Sequence, residues 1–182
     1  LVGGNEPMAE NVRVMLSEED VTKRIRELGA EISKDYEGEE LVVVGILKGA
    51  AFFSTELAKR ITVPVYMDFM ATGSYGSGTV STGDVKIKKE LDLDVTGKNV
   101  LVAEDIIDSG NTLSFLLKYF EDKGVKSIRL ATMLDKPDRR EVDVHVDYTG
   151  FTIPDEFVVG YGLDYDQKYR NLPYIGVMEF DD

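Results

Sequence analysis

Two short apolar runs set the strongest limit on this chain: L-V-V-V-G-I-L at 41–47 and the V-L-V-A that opens VLVAE at 100–104. Both are rich in β-branched residues and free of charge, and they are too brief for a buried helix. They read as strands covered on both faces. Parallel strands of that kind need crossovers, and the segments between them carry a helical period. Residues 17–36 place Val21, Ile25, Leu28 and Ile32 on one face, with Ser17 as N-cap and Asp20 three positions on. AFFSTELAKR (51–60) predicts a short helix, and TLSFLLKYFEDKG (112–124) another, closed by Gly124. VPVYMDFM (63–70) and SIRLATML (127–134) return to strand, as do the neighbourhoods of 144–148, 157–161 and 174–178. VKIKKEL (85–91) alternates like an outer or antiparallel strand. The order predicts an α/β fold, a mostly parallel sheet flanked by helices.

Length and charge narrow the field further. A chain of 182 residues accommodates one domain with a substantial core. We expect a single domain over 8–182, with LVGGNEP (1–7) a tag remnant or disordered end. No Pro/Gly-rich linker or internal repeat divides it. Without cysteine there is neither a disulfide framework nor thiolate chemistry, which suits a reducing, cytoplasmic setting. No apolar run is long enough to span a bilayer, and no signal peptide is visible, so no membrane is expected. A net charge of −13 argues against nucleic acid as a partner, because phosphate contacts need clustered Lys and Arg. An anionic substrate must therefore be held by a few basic side chains, backbone amides or metal ions.

In open α/β sheets ligands bind beyond the carboxyl ends of the strands. Three unusual segments fall there: LKGAA after the first buried run, EDIIDSGNT after the second, and LDKPDRR after SIRLATML. The second segment crowds Glu104, Asp105 and Asp108 against a small-residue turn, Ser109, Gly110, Asn111 and Thr112. Acids resist burial, so a strand should not end in three of them without a reason. A turn running into a helix N-terminus exposes N–H groups to an anion. Alone, this tetrapeptide more often makes an ordinary capped turn. Beside the acids, it fits a phosphate whose attached sugar lies over Glu104 and Asp105, where carboxylates accept from hydroxyls and help hold Mg²⁺.

VLVAEDIIDSGNTL (100–113) closely resembles the phosphoribosyl-pyrophosphate signature of the type I phosphoribosyltransferases. The likeness extends through GILKGA, SYGSGTVSTG, LDKPDRR and IPDEFVVGYGLDYDQKYRNLPYIG, from about Val14 to Phe180, and is specifically to bacterial hypoxanthine (hypoxanthine-guanine) phosphoribosyltransferases. Ser109 stands where threonine is common, and it keeps the hydroxyl. The resemblance implies the type I phosphoribosyltransferase fold, a core at about 38–150 with a small hood built from the N-terminal segment and about 151–182. It implies purine salvage: 5-phosphoribosyl transfer from 5-phosphoribosyl 1-pyrophosphate to N9 of hypoxanthine and guanine, giving IMP or GMP and pyrophosphate. It further implies two Mg²⁺ ions and a homodimer or homotetramer.

The resemblance also assigns roles. Asp108 is the general base that takes the N7 proton. Glu104 and Asp105 meet the ribose hydroxyls and a metal ion, and residues Asp108–Thr112 hold the 5′-phosphate. Lys48 and Gly49 serve the pyrophosphate, through a Lys48–Gly49 peptide that is often cis in the family. Arg170 grips the leaving anion and Asp164 holds a second metal ion. Lys136 donates to the purine O6, Phe157 stacks on the ring and the Val158 backbone meets its edge. Ser74 and Tyr75 belong to a lid over 72–84 that excludes water. Two other classes use similar features, a ligand-sensing regulator on the same scaffold and a phospho-acceptor domain. No helix-turn-helix is attached for the first, and the second does not explain S-G-N-T or F-V-V-G-Y-G-L-D-Y.

Overall fold

The computed structural model of the chain describes residues 10–74 and 84–180. Its centre is a six-stranded sheet of β2 (Leu41–Leu47), β3 (Val65–Ser74), β4 (Val85–Lys89), β5 (Asn99–Ile107), β6 (Ser127–Asp135) and β7 (Tyr148–Thr152). The spatial order is β4-β3-β2-β5-β6-β7, and every pairing is parallel except that of β4 with β3. Strand order reverses between β2 and β5, which opens a crevice at the carboxyl ends of those two strands.

Both faces of the sheet are covered, as the uninterrupted apolar runs require. Leu41 and Val43 of β2 and Leu101 and Ala103 of β5 join one core layer. That layer is closed by α1 (Glu18–Asp35) and α2 (Ala51–Ala58), through Ile25, Leu28, Phe53 and Leu57. The alternate residues, Val42, Val44, Val100 and Val102, face the second layer, closed by Leu113, Leu116 and Phe120 of α3 (Asn111–Asp122). Ser17 caps α1 by accepting from the Asp20 N–H at 3.1 Å.

A second, antiparallel sheet is built from both ends of the chain: β1 (Glu10–Leu16), β9 (Ile175–Phe180) and β8 (Val158–Val159), in the order β1-β9-β8. The sequence pattern does not single out β1, whose half-buried and exposed residues alternate only from Glu10 to Arg13, before the register shifts at Val14, and whose partner lies near the other end of the chain. One expected strand is displaced. Residues 144–147 are not in the sheet, and β7 begins only at Tyr148. The Asp147 carboxylate accepts from the Leu130 N–H at 2.8 Å, and its own N–H reaches Leu130 O at 3.0 Å, so a side chain bridges to β6 before the main-chain ladder starts at Ala131 and Tyr148.

Candidate active site

The acids that end the V-L-V-A run both lie within the strand, since β5 continues past Glu104, the last residue of the expected strand VLVAE (100–104), to Ile107. Glu104 is buried, and burial, then the neighbouring Asp105 charge, pushes its carboxyl well above the usual range. Burial likewise raises Asp105 to about 6, against the opposing effects of the Ile106 N–H at 2.7 Å and the Arg170 charge. Neither acid forms an ion pair among the described residues. Two crowded carboxylates with no ion-pair partner suit a cation and hydroxyl donors.

After Ile107 the chain turns through Asp108, Ser109 and Gly110 into α3. Gly110 takes φ +87° and is the N-cap, without a side-chain cap bond. Together with Glu104, Ile106, Ile107, Thr112 and Leu113 these residues line a cavity of about 200 Å³. The helix start thus has N–H groups open to an anion. Ser109 Oγ accepts from the Asn111 N–H at 3.2 Å, which leaves its hydroxyl proton to donate. Asn111 does not line the cavity, and its amide Nδ2 donates to Glu141 at 3.2 Å.

The other half of the crevice follows β2. A cis peptide stands here, at Leu47–Lys48 rather than Lys48–Gly49. The Lys48 carbonyl accepts from the Ala51 N–H at 3.0 Å, so the next peptide already belongs to the first turn toward α2. A Cβ on Gly49 would meet Asp105 Oδ2 at 1.8 Å, and a Cβ on Gly162 (φ +101°) would meet Gly49 O at 2.0 Å. Only glycine lets these two backbones and one carboxylate stack.

Arg170 donates to Gly162 O at 2.7 Å and lies 3.5 Å from Asp164, whose other oxygen accepts from the Gln167 N–H at 3.0 Å. Gln167 Oε1 accepts from both Lys48 and Arg170 at 3.2 Å, drawing two cations to one point. Sequence reasoning passed over Gln167, because a glutamine in a polar loop carries no signal of its own. Tyr165 stands edge-on to the half-exposed Phe157 at 5.7 Å between ring centres. Lys136 is only 7% exposed, with Nζ 3.7 Å from Asp155, an acid it shares with Arg139. Val158 pairs with Val177, and the Phe157 carbonyl accepts from the Met178 N–H. Ser74 is the last residue of β3, while Tyr75 and most of the expected lid lie outside the described residues.

The donors present fit magnesium in part. Among the described residues no three acidic or histidine side chains converge into a cage. Mg²⁺ is commonly held by one or two carboxylates plus substrate phosphates, which the uncompensated Glu104 and Asp105 allow.

Comparison with known proteins places the chain in a family. The phosphoribosyl transferase domain family matches residues 15–166. The bifunctional protein TilS/HprT of Listeria monocytogenes is 53% identical over 179 residues, 98% of this chain but only 28% of that protein. The chain thus spans just over a quarter of that relative. The hypoxanthine-guanine phosphoribosyltransferase of Bacillus subtilis is 51% identical over 167 residues, covering 92% of this chain and 93% of that one. A crystal structure of a hypoxanthine phosphoribosyltransferase from Staphylococcus aureus superposes with a TM-score of 0.88 at 50% identity, over 92% of this chain and 91% of that chain. A family match over most of the chain, full-length relatives at half identity and a shared fold lead to one conclusion: this chain belongs to the hypoxanthine (hypoxanthine-guanine) phosphoribosyltransferases of the phosphoribosyl transferase family.

Proposed function

We propose that the chain transfers a 5-phosphoribosyl group from 5-phosphoribosyl 1-pyrophosphate to N9 of hypoxanthine or guanine, releasing pyrophosphate. The observation that carries this is the crevice between β2 and β5. Buried Glu104 and half-buried Asp105, neither in an ion pair among the described residues, stand between a helix-start pocket and the Lys48–Arg170 pair. A molecule with a phosphate at one end of a sugar and a pyrophosphate at the other meets all three.

In this reading the 5′-phosphate takes the N–H groups and hydroxyls of residues 108–112. Glu104 and Asp105 accept from the ribose hydroxyls. As pyrophosphate departs, the ribose carbon becomes cationic, and these carboxylates stabilise it at short range in a dry site. Asp108, at the rim of the pocket, takes the N7 proton as N9 forms its bond, so the purine ends neutral. Lys136 donates to the purine O6, Phe157 covers one face of the ring, and Val158 offers its backbone to the ring edge. Arg170, with Lys48 beside it, takes the pyrophosphate, displacing Gln167 from both.

Mg²⁺, when bound, neutralises phosphate charge; Glu104, Asp105 and Asp164 would hold it, and two ions are proposed. The working form is proposed to be a cytoplasmic homodimer or homotetramer, as the sequence resemblance implies. The test is a spectrophotometric assay with the ribosyl pyrophosphate, Mg²⁺ and each of hypoxanthine, guanine, xanthine and adenine. Formation of IMP and GMP that stops in excess chelator is expected. No turnover with any 6-oxopurine would refute the assignment, and undiminished turnover in chelator would refute the metal ions.

A further inference from the structure

The connection that follows β6 latches the turn after β5 at three consecutive carbonyls. The Lys136 N–H donates to Ile107 O at 3.0 Å, Arg140 Nε donates to Asp108 O at 3.1 Å, and the Glu141 and Val142 N–H groups both donate to Ser109 O at 2.9 Å. Gly110 is the N-cap, so the Asp108 and Ser109 carbonyls precede α3, whose first bond runs from the Ser114 N–H to Gly110 O at 2.9 Å. Both carbonyls are engaged instead by the connection after β6. The Thr112 and Leu113 N–H groups have no acceptor among the described residues, and both residues line the cavity.

Three of these four bonds use backbone donors that almost any sequence supplies. Arg140 is the one side chain. Its guanidinium also pairs with Asp135, and the side chain is only 21% exposed, so its fork is fixed between two acceptors. Gly110 brings the turn close against it: a Cβ there would meet Val142 O at 2.6 Å and Arg140 Cδ at 3.2 Å. A peptide unit is planar and trans, so its C=O and N–H point in opposite directions. Holding the Asp108 carbonyl against Arg140 therefore fixes the direction of the Ser109 N–H in the same peptide, away from the guanidinium.

We infer that Arg140 is a positioning residue for the phosphate-binding turn, capturing the Asp108 carbonyl so that the Ser109 N–H of the same peptide is kept directed at the anion. This rests on reading the cavity at residues 108–113 as the 5′-phosphate site. Arg140 does not line that cavity, and Asp135 cancels its charge, so its contribution is geometric and not a long-range attraction.

Two variants separate this role from a structural one. Arg140→Lys keeps a cation beside Asp135, but one ammonium cannot also reproduce the fixed fork onto Asp108 O. Arg140→Met keeps the stem and loses both arms. Each is measured for melting temperature, for steady-state KM, and by calorimetry with ribose 5-phosphate and with magnesium pyrophosphate. In both variants the affinity for ribose 5-phosphate should fall roughly tenfold or more, and KM for the ribosyl pyrophosphate should rise, while KM for hypoxanthine and pyrophosphate affinity stay within about twofold. Only the Met variant should lose much melting temperature. Folded variants that bind ribose 5-phosphate as the parent does, or that weaken on both ligands alike, overturn the inference. A folded parent that fails to bind ribose 5-phosphate overturns the phosphate pocket itself, and the inference with it.

Discussion

Replacing Asp105 by Asn should make the ligand-free protein relatively more stable as pH rises, although Asp105 is placed at the centre of the proposed site. Burial raises this carboxyl from an ordinary 3.8 to about 6 in the folded chain. An acid whose folded pKa exceeds its unfolded value costs stability when it ionises. The cost is absent well below pH 3.8, grows between there and about 6, and is complete above. At 1.36 kcal/mol for each tenfold change in proton affinity, the full cost is about 3 kcal/mol. From about pH 5 to about pH 7.5 it grows by about 1.4 kcal/mol, which is the part the experiment reads.

Asn cannot ionise, and its Oδ1 still accepts from the Ile106 N–H. Any constant penalty, such as an unpartnered amide N–H, is the same at both pH values and drops out of the comparison. Removing the charge also relieves Glu104, whose carboxyl Asp105 raises, so the widening should be at least this large. The assay is urea unfolding of parent and variant in chelator, at fixed protein concentration, at these two pH values. A stability difference that stays constant, or that shifts in favour of the parent with rising pH, refutes the claim that burial of this carboxylate is uncompensated. With saturating Mg²⁺ and ribosyl pyrophosphate the order should invert, because only the parent then gains the linked binding energy.

Three further outcomes follow from the geometry. Asp108→Asn should lower turnover on hypoxanthine by ~10²–10⁴-fold while keeping melting temperature and ribose 5-phosphate affinity, and steady-state kinetics within threefold of the parent would remove Asp108 as the base. Gly49→Ala places a Cβ 1.8 Å from Asp105 Oδ2, so it should cost about 1–3 kcal/mol in urea unfolding and weaken pyrophosphate binding; an unperturbed variant would mean that the Gly49–Asp105 contact is not rigid. Adenine should be rejected by roughly 10⁴–10⁵-fold in kcat/KM, because the Lys136 ammonium has donors only and finds an amino group instead of O6. Lys136→Gln, which can also accept, should narrow that ratio mainly by harming hypoxanthine, and an unchanged ratio would free Lys136 of the role.

The elements legible in the sequence are those whose signal is local. β2 reads to the residue from L-V-V-V-G-I-L, and α1 reads from its cap and its apolar face. The crevice was legible too, because three odd segments follow three strands. What escaped depends on long-range partners. β1 is a strand because β9 pairs with it across nearly the whole chain, and Val144–Asp147 leaves the sheet because one aspartate reaches Leu130. Gln167, Asp155 and Arg140 belong to polar loops, and only their partners, Lys48 with Arg170, Lys136, and the Asp108 carbonyl, give them meaning.

The same long-range packing explains how the site keeps its charges apart. Asp105 presses on Gly49, Gly49 on Gly162, and Gly162 O holds Arg170. Arg170 is thus near enough to pull the Asp105 pKa down, yet among the described residues it forms no ion pair with it. Side chains at either glycine would force this column apart, while a direct Arg170–Asp105 pair would satisfy both ions and leave neither for a ligand. With two glycine backbones between them, the acids remain open to cation and hydroxyls, and the arginine remains open to an anion. A ligand that carries a divalent cation, hydroxyls and a pyrophosphate together needs that separation. The desolvated acids therefore lower the stability of the empty protein while they stay unpaired, which is why the pH dependence of Asp105→Asn bears on binding as much as on folding.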